Sequence, residues 1–322
     1  MENAMELREL TKTYGTRRGL ASLNLDVRPG EVFGYLGPNG AGKSTTIRLL
    51  LDLIRPTGGS ARVLGLDPRT DGVELRRRTG YLAGDFVCDG KQTVRGLLRF
   101  LADLRGGVPY DRIDDLAERL GLDQSTRIKK LSKGNRQKLG LVQAFMHTPD
   151  LLVLDEPTSG LDPLVQQTFL ALVTEAAAAG QTVFMSSHIM SEVDAVADRV
   201  GIIRDGQLVA LDTVANLRAG SVRDIEATFH TPVPATAFEC IPGGSGLRLD
   251  AAGTTLTGQL TGSPDALIKA LAQHQVTSFR ATEPPLEDLF HTFYTPADAE
   301  ASRAQSDSGA PEPVNAPGRT TL

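Results

Sequence analysis

Residues Gly37-Pro38-Asn39-Gly40-Ala41-Gly42-Lys43-Ser44-Thr45 complete the pattern G-x-x-x-x-G-K-[ST]. Glycine falls where a backbone must curl around an anion with no Cβ in the way. Successive N–H groups then point inward as an anion nest. The preceding segment, Glu31–Leu36, is strand-like, and the following one, Ser44 to Leu53, carries Ile47, Leu49, Leu50 and Leu53 at near-helical spacing. Strand, loop and helix N-terminus are the parts a phosphate site needs, and this bracketing favours that reading over a plain glycine-rich turn. Gly37 to Thr45 would then cradle phosphates, with Lys43 reaching the outer ones and the Ser44 hydroxyl ligating Mg²⁺.

Further along, the apolar run Leu151–Leu154 ends in Asp155-Glu156. A carboxylate at the C-terminal edge of a buried parallel strand beside a phosphate loop is placed to hold Mg²⁺, a role that falls to Asp155. Glu156 sits one residue nearer the γ-phosphate and is the candidate general base for an attacking water. Upstream, Leu131-Ser132-Lys133-Gly134-Asn135 opens a predicted helix over Asn135–Met146. Ser132 and Gly134 are either a second anion-binding helix start or plain capping by the serine. After the apolar run Thr182–Met185 comes Ser186-Ser187-His188, and His188 in this company is a candidate γ-phosphate contact.

The 322 residues suffice for one or two cores, and 40% hydrophobic with 23% charged residues is ordinary for a globular protein. A net charge of −5 argues against nucleic acid, and Arg76-Arg77-Arg78 reads as a solvated helix face. Two cysteines, Cys88 and Cys240, make no disulfide framework or metal cluster. No apolar run reaches spanning length and Met1–Leu10 is too charged for a signal peptide, so the expectation is a cytosolic chain that meets a membrane only through a partner.

Three regions are expected. Residues 1–219 hold every chemical motif, with strands at Met5–Tyr14, Ala21–Val27 and Ala61–Leu64 and a hairpin turn at Asp205-Gly206 between Val200–Ile203 and Gln207–Ala210. Helices are predicted over Asp111–Leu120, Pro163–Ala179 and Met190–Ala197. Strands alternating with helices give an α/β core with an antiparallel start. Residues 220–294 read as a small α+β unit: strands Asp224–Phe229, Leu247–Leu249, Thr254–Leu260 and Val276–Ala281, a helix Asp265–Gln273 capped by Ser263 with Pro264 at its first position, and a last helix Leu286–Tyr294. Residues 295–322, rich in Ala, Pro, Ser and Gly, are expected to be disordered.

Together these motifs resemble the ATP-binding subunits of ABC transporters over residues 5 to about 219. Gly37–Thr45 matches the Walker A loop, Leu131–Asn135 the signature segment, Leu151–Glu156 Walker B with its catalytic glutamate, Ser159–Asp162 the D-loop, and His188 the switch histidine. The resemblance implies a P-loop NTPase core with a helical signature region. It also implies ATP and Mg²⁺ as cofactors, and Tyr14 stacked on adenine, although alone Tyr14 reads as a packed strand residue. It further implies a head-to-tail dimer in which Ser132, Gly134 and Asn135 face the nucleotide of the second ATP-binding subunit. The finer match is to the ABC-2-type export subgroup, including drug and antibiotic resistance pumps, whose C-terminal domains end much like Pro285-Leu286-Glu287-Asp288-Leu289-Phe290. That implies a separately encoded membrane permease and a peripheral position on the cytoplasmic face of the membrane.

Two departures stand out. The usual Leu-Ser-Gly-Gly-Gln signature has Lys133 and Asn135 at its third and fifth positions, and Lys133 either assists phosphate binding or faces solvent. The family's Mg²⁺-contacting glutamine should follow Gly80-Tyr81-Leu82-Ala83, where this chain has Gly84 and then Asp85. Asp85 is either a substitute ligand or an exposed loop residue. The stretch from Gly84 to about Val108 reads as a loop and is the expected coupling surface. A soluble ABC ATPase with a non-transport partner and a nucleotide-binding regulator without turnover are the rival readings. The acidic balance argues against the first and the presence of Glu156 and His188 against the second.

Overall fold

The computed structural model describes residues 2–88, 90–219 and 222–282. The chain opens with β1 (Met5–Tyr14), β2 (Arg17–Val27), β3 (Val32–Leu36), α1 (Lys43–Leu50), β4 (Gly58–Val63), α2 (Gly72–Arg78) and β5 (Thr79–Leu82). A helical stretch follows: α3 (Val94–Leu104), α4 (Tyr110–Arg119), a 3-10 turn at Ile128–Lys130 and α5 (Lys133–Phe145). Next come β6 (Leu151–Asp155), α6 (Pro163–Ala178), β7 (Thr182–Ser187), α7 (Met190–Val196), β8 (Arg199–Arg204), β9 (Gln207–Thr213) and α8 (Val214–Ala219). The last elements are β10 (Val222–Phe229), β11 (Gly244–Leu249), β12 (Thr255–Thr261), α9 (Asp265–Leu271) and β13 (Val276–Thr282).

Six strands form the central sheet in the order β5-β6-β7-β3-β8-β9, parallel except for the edge strand β9. Every residue of β3, β6 and β7 is buried, as expected of parallel strands covered on both faces. The period of two sorts their side chains into separate cores. Phe33, Tyr35, Val153 and Phe184 pack with Leu7, Leu10 and Ile47 on the side of β1 and β2. Leu36, Leu152, Leu154 and Met185 pack with Leu98, Leu139, Leu141 and Phe169 on the helical side. A three-stranded antiparallel sheet, β2-β1-β4, supplies the first of these covers. Residues of β10 to β13 form their own sheet, β11-β12-β10-β13, over a third core of Ile225, Phe229, Phe238, Leu256 and Leu267.

The hairpin β8–β9 turns at Asp205 (φ 50°) and Gly206 (φ 76°), the pair of positive values that a tight two-residue turn requires. This turn also clasps the phosphate-loop region. Gly206 N–H donates to the Ala41 carbonyl at 2.9 Å, and Ala21 N–H donates to the Gly206 carbonyl at 2.8 Å.

Three expectations need correction. Helix α1 ends at Leu50 rather than Leu53, because Asp52 turns left-handed (φ 55°) and swings Leu53 into solvent. The stretch 84–108 is not a loop throughout. It contains α3, capped by Thr93 Oγ1, which accepts Gly96 N–H at 3.2 Å, and anchored by Val94, Leu98 and Ala102. Helix α9 starts at Asp265 with Pro264 in the capping position, while Ser263 Oγ accepts Asp265 N–H at 3.3 Å. The expected helix Leu286–Tyr294 and the tail 295–322 lie outside the described residues.

Just beyond α5, the His147 ring packs behind β5. Its Nε2 lies 3.3 Å from the Thr79 carbonyl, which can only accept, so Nε2 carries the proton of the neutral ring. Nδ1 is buried without a hydrogen-bond partner. Burial, then the charge of Arg105, lowers the ring's pKa from its usual 6.5 to about 4. The folded state therefore resists a proton that the unfolded chain accepts. This group's contribution to stability is complete above pH 6.5 and falls away as the pH drops from 6.5 toward 4. The ring is partly open to solvent, which holds the effect to about 1–2 kcal/mol. The expected outcome is that His147→Gln has a flatter melting temperature between pH 7.5 and 5 than the parent. Parallel curves for the two proteins would contradict it.

Candidate functional site

The sheet order delivers the motif residues to one edge. The phosphate loop leaves the C-terminal end of β3, Asp155 and Glu156 stand at that end of β6, and Ser187 and His188 at that end of β7, which lies between them. Ligands of open α/β sheets bind at this edge. Gly42, in the N-cap position of α1, has φ 117°, and no side chain caps the helix, so its first N–H groups face the loop's interior. A cleft of about 450 Å³ opens there, walled by Tyr14 and Gly19 on one side and by Asn39, Lys43, Ser44 and Glu156 on the other. A slightly larger hollow of about 560 Å³, beside Arg55, Gly59 and Arg69, brings none of the motif residues together.

Lys43 is buried and curls along its own loop. Its Nζ donates to the Gly37 carbonyl at 2.6 Å and to the Pro38 carbonyl at 3.3 Å, and stands 3.2 Å from Glu156 Oε1. The other carboxylate oxygen, Oε2, accepts from His188 Nδ1 at 2.5 Å. Glu156 thus bridges Lys43 of the glycine-rich loop and His188. Its backbone is left-handed (φ 49°), a conformation costing a non-glycine residue about 1 kcal/mol and concentrated at functional sites. Ser186 holds it there: Glu156 N–H donates to the Ser186 carbonyl at 3.1 Å and to Ser186 Oγ at 3.2 Å. Gln137 Nε2, from α5, donates to the carbonyls of Glu156 at 3.1 Å and Pro157 at 3.0 Å.

Asp155 is buried, and its Oδ1 accepts Ser186 Oγ–H at 2.5 Å. Its charge adds to burial in raising the Tyr81 pKa. Gly84 runs its backbone against this carboxylate, close enough that an added Cβ would stand 3.3 Å from Asp155 Oδ2. Asp85 is exposed and does not line the cleft. Ser44 at the start of α1 and Asp155 offer oxygen donors only, the chemistry a hard cation such as Mg²⁺ prefers, so the donor set fits the ion.

Ser132, Gly134 and Asn135 stand apart from this cleft. Ser132 Oγ accepts Asn135 N–H at 3.2 Å and caps α5. A Cβ on Gly134 would stand 2.7 Å from the Gly160 carbonyl, so the glycine is demanded by the D-loop turn packed on it. The stem of Lys133 runs beside Gly160 on that same turn, leaving the residue exposed overall.

The structure therefore gathers Tyr14, Gly37 to Thr45, Asp155, Glu156 and His188 around one cleft and its rear wall, and leaves Ser132, Gly134, Asn135 and Asp85 outside it. Sequence reasoning missed Gln137, Ser186 and Glu192, all buried and polar. A signal existed for Gln137: it shares a helix face with the buried Leu141 and Ala144, where a polar residue needs a reason.

Residues 20–159 match the model of the ABC transporter family. The protein is 40% identical over 228 residues to "Probable multidrug ABC transporter ATP-binding protein YbhF" of Escherichia coli, a match covering 69% of this chain but only 39% of that longer relative. The bacitracin transport ATP-binding protein BcrA of Bacillus licheniformis is 39% identical over 65% of this chain and 69% of its own length. A fluoroquinolones export ATP-binding protein of Mycobacterium tuberculosis is 34% identical over 89% of this chain and 91% of its own. Among solved structures, an ATP-binding subunit of an ABC transporter superposes with a TM-score of 0.62 at 29% identity, covering 67% of this chain and 92% of that one.

The Gly134–Gly160 contact leaves no room for a methyl group. Gly134→Ala is expected to lower unfolding stability by about 1–3 kcal/mol, read from the urea midpoint. An unshifted midpoint would mean the D-loop turn yields freely.

Proposed function

The chain belongs to the family of ABC transporter ATP-binding proteins, and from that premise we propose that it is an ATPase subunit that closes around ATP with a second ATP-binding subunit and drives export through a separate ABC-2-type permease. The observation that carries the hydrolytic part is the line Lys43–Glu156–His188, which joins the phosphate loop, the end of β6 and the loop after β7.

ATP lies with its adenine against Tyr14 and its phosphates in the loop Gly37 to Thr45. Its charge competes with Glu156 and the loop carbonyls for the Lys43 ammonium, so binding releases the Glu156 carboxylate to take the proton of an attacking water. His188 Nδ1 stays within reach of that carboxylate and orients it. Mg²⁺, held by Ser44 and Asp155, would neutralise charge on the bridging phosphate oxygens. The loose, highly charged transition state needs positioning and electrostatics above all, and Lys43 supplies a fixed donor for it while His188 acts through Glu156. Ser132, Gly134 and Asn135 lie outside their own cleft, which supports their facing the second subunit's nucleotide.

The coupling surface is proposed at 84–108, where Val87, Phe100 and Leu104 leave large apolar side chains in solvent. Among the described residues no helix is long and apolar enough to cross a membrane. The relatives named as transporter ATP-binding proteins support a separate permease as the pathway, with this subunit at its cytoplasmic face. Relatives named for bacitracin transport, daunorubicin/doxorubicin resistance and fluoroquinolone export support a drug or antibiotic as the cargo. Residues 220–294 would form the small C-terminal domain of this subgroup.

Glu156→Gln keeps the size of the side chain but removes the base. ATP is expected to bind, turnover to fall by roughly 10²-fold or more, and an ATP-bound dimer to accumulate on size exclusion. Unchanged turnover would sink the assignment. Asp85 is exposed and one residue displaced from the family's ligand position, so water is proposed to fill that place on Mg²⁺. Asp85→Asn should then shift the Mg²⁺ concentration for half-maximal hydrolysis by less than about twofold. A rise of about tenfold, equal to roughly 1.4 kcal/mol, would assign the carboxylate to the metal.

A further inference from the structure

Glu192, in α7, is buried, and its two carboxylate oxygens are taken by the turn after β6 and by the last residue of β7. Thr158 Oγ1–H donates to Oε1 at 2.5 Å, and Ser187 Oγ–H donates to Oε2 at 2.9 Å. Thr158 and Ser187 are themselves almost wholly buried. Ser187 Oγ also accepts the Ile189 N–H at 2.9 Å, so the backbone on both sides of His188 is drawn into the network. Thr158 lies two residues past Glu156 in the turn that leads to the D-loop. A carboxylate accepts from both hydroxyls at once and donates to neither; for the single Ser187 proton it is the nearer acceptor, at 2.9 Å against 3.2 Å for the Ile189 carbonyl. A network satisfied in this way is rigid, and removing its acceptor strands the Thr158 hydroxyl and leaves Ser187 only the Ile189 carbonyl, at 3.2 Å.

We infer that Glu192 is a positioning residue for ATP hydrolysis: from behind the site it locks the turn after Glu156 to the loop carrying His188, and so sets the contact between the base and the switch histidine. The inference rests on the ATPase reading above. Glu192 touches neither the cleft nor the phosphate loop. Nucleotide affinity should therefore be indifferent to it, while the chemical step should not. The link also gives the D-loop turn, which packs on Gly134 of the signature segment, a direct path to His188.

The test measures single-turnover ATP hydrolysis and ATP affinity for Glu192→Ala, Glu192→Gln and Thr158→Val, each in the parent and in a His188→Ala background. In the parent background, Glu192→Ala should slow hydrolysis about tenfold or more and Thr158→Val about threefold, with ATP affinity within twofold. Glu192→Gln, which keeps one acceptor oxygen, should recover part of the loss. With His188 already removed, each substitution should cost less than about twofold, because the residue acts through that histidine. Full multiplicative losses in the His188→Ala background, or parallel losses of affinity and rate, would overturn the inference. Thr158→Val removes one hydroxyl at constant shape and decides the matter if Glu192→Ala does not fold. A parent protein without any ATP turnover would instead defeat the ATPase reading, and the two failures are thereby distinct.

Discussion

Ser186 makes one clasp on which the site depends. Its hydroxyl donates to Asp155 Oδ1, and its carbonyl and Oγ both receive the Glu156 N–H. The residue sits in β7, so the acidic pair at the end of β6 is fixed against the neighbouring strand rather than left on a free loop. The clasp restrains Asp155 and holds Glu156 in its left-handed turn, two consecutive carboxylates with opposite fates. One is buried and tethered at the rear, and the other is turned toward the lysine and the histidine. Without a partner for that N–H, the backbone of Glu156 would relax to a common conformation and its side chain would leave Lys43.

Much of this was legible in the sequence because it rests on local rules. The phosphate loop announces itself through glycine spacing, the parallel strands through unbroken apolar runs, and the β8–β9 hairpin through Asp205-Gly206. Where reasoning fell short, the deciding contact was distant in the chain. Helix α3 is hidden in the sequence because its stripe of Val94, Leu98 and Ala102 gains meaning only once Ile113, Leu116 and Leu141 are packed on it. The end of α1 depends on Asp52 adopting a positive φ, a choice that composition does not reveal. The buried polar residues Gln137, Ser186 and Glu192 were invisible for a related reason. Each bonds a partner 5 to 34 positions away, and its importance comes from where the sheet brings the loops.

The site's charges are arranged in sequence rather than in a cluster. Lys43, Glu156 and His188 alternate cation, anion and ring, so one carboxylate touches both the phosphate loop and the loop after β7. The Gln137 bonds to the carbonyls of Glu156 and Pro157 tie the same turn to α5.

The turn at Gly206 joins the antiparallel and parallel layers through two backbone hydrogen bonds, one to β2 and one to the phosphate loop. Added side chains at Gly42 or Gly206 would each collide with the Gly19 carbonyl at 2.9 Å, so the two layers meet with no slack. The distance from Tyr14 to Lys43 is accordingly a property of the scaffold and not of any flexible arm. Under the proposed function, adenine at Tyr14 and the phosphates at Lys43 are held by walls from two different layers, so the fit of a nucleotide between them depends on how those layers pack rather than on either loop alone.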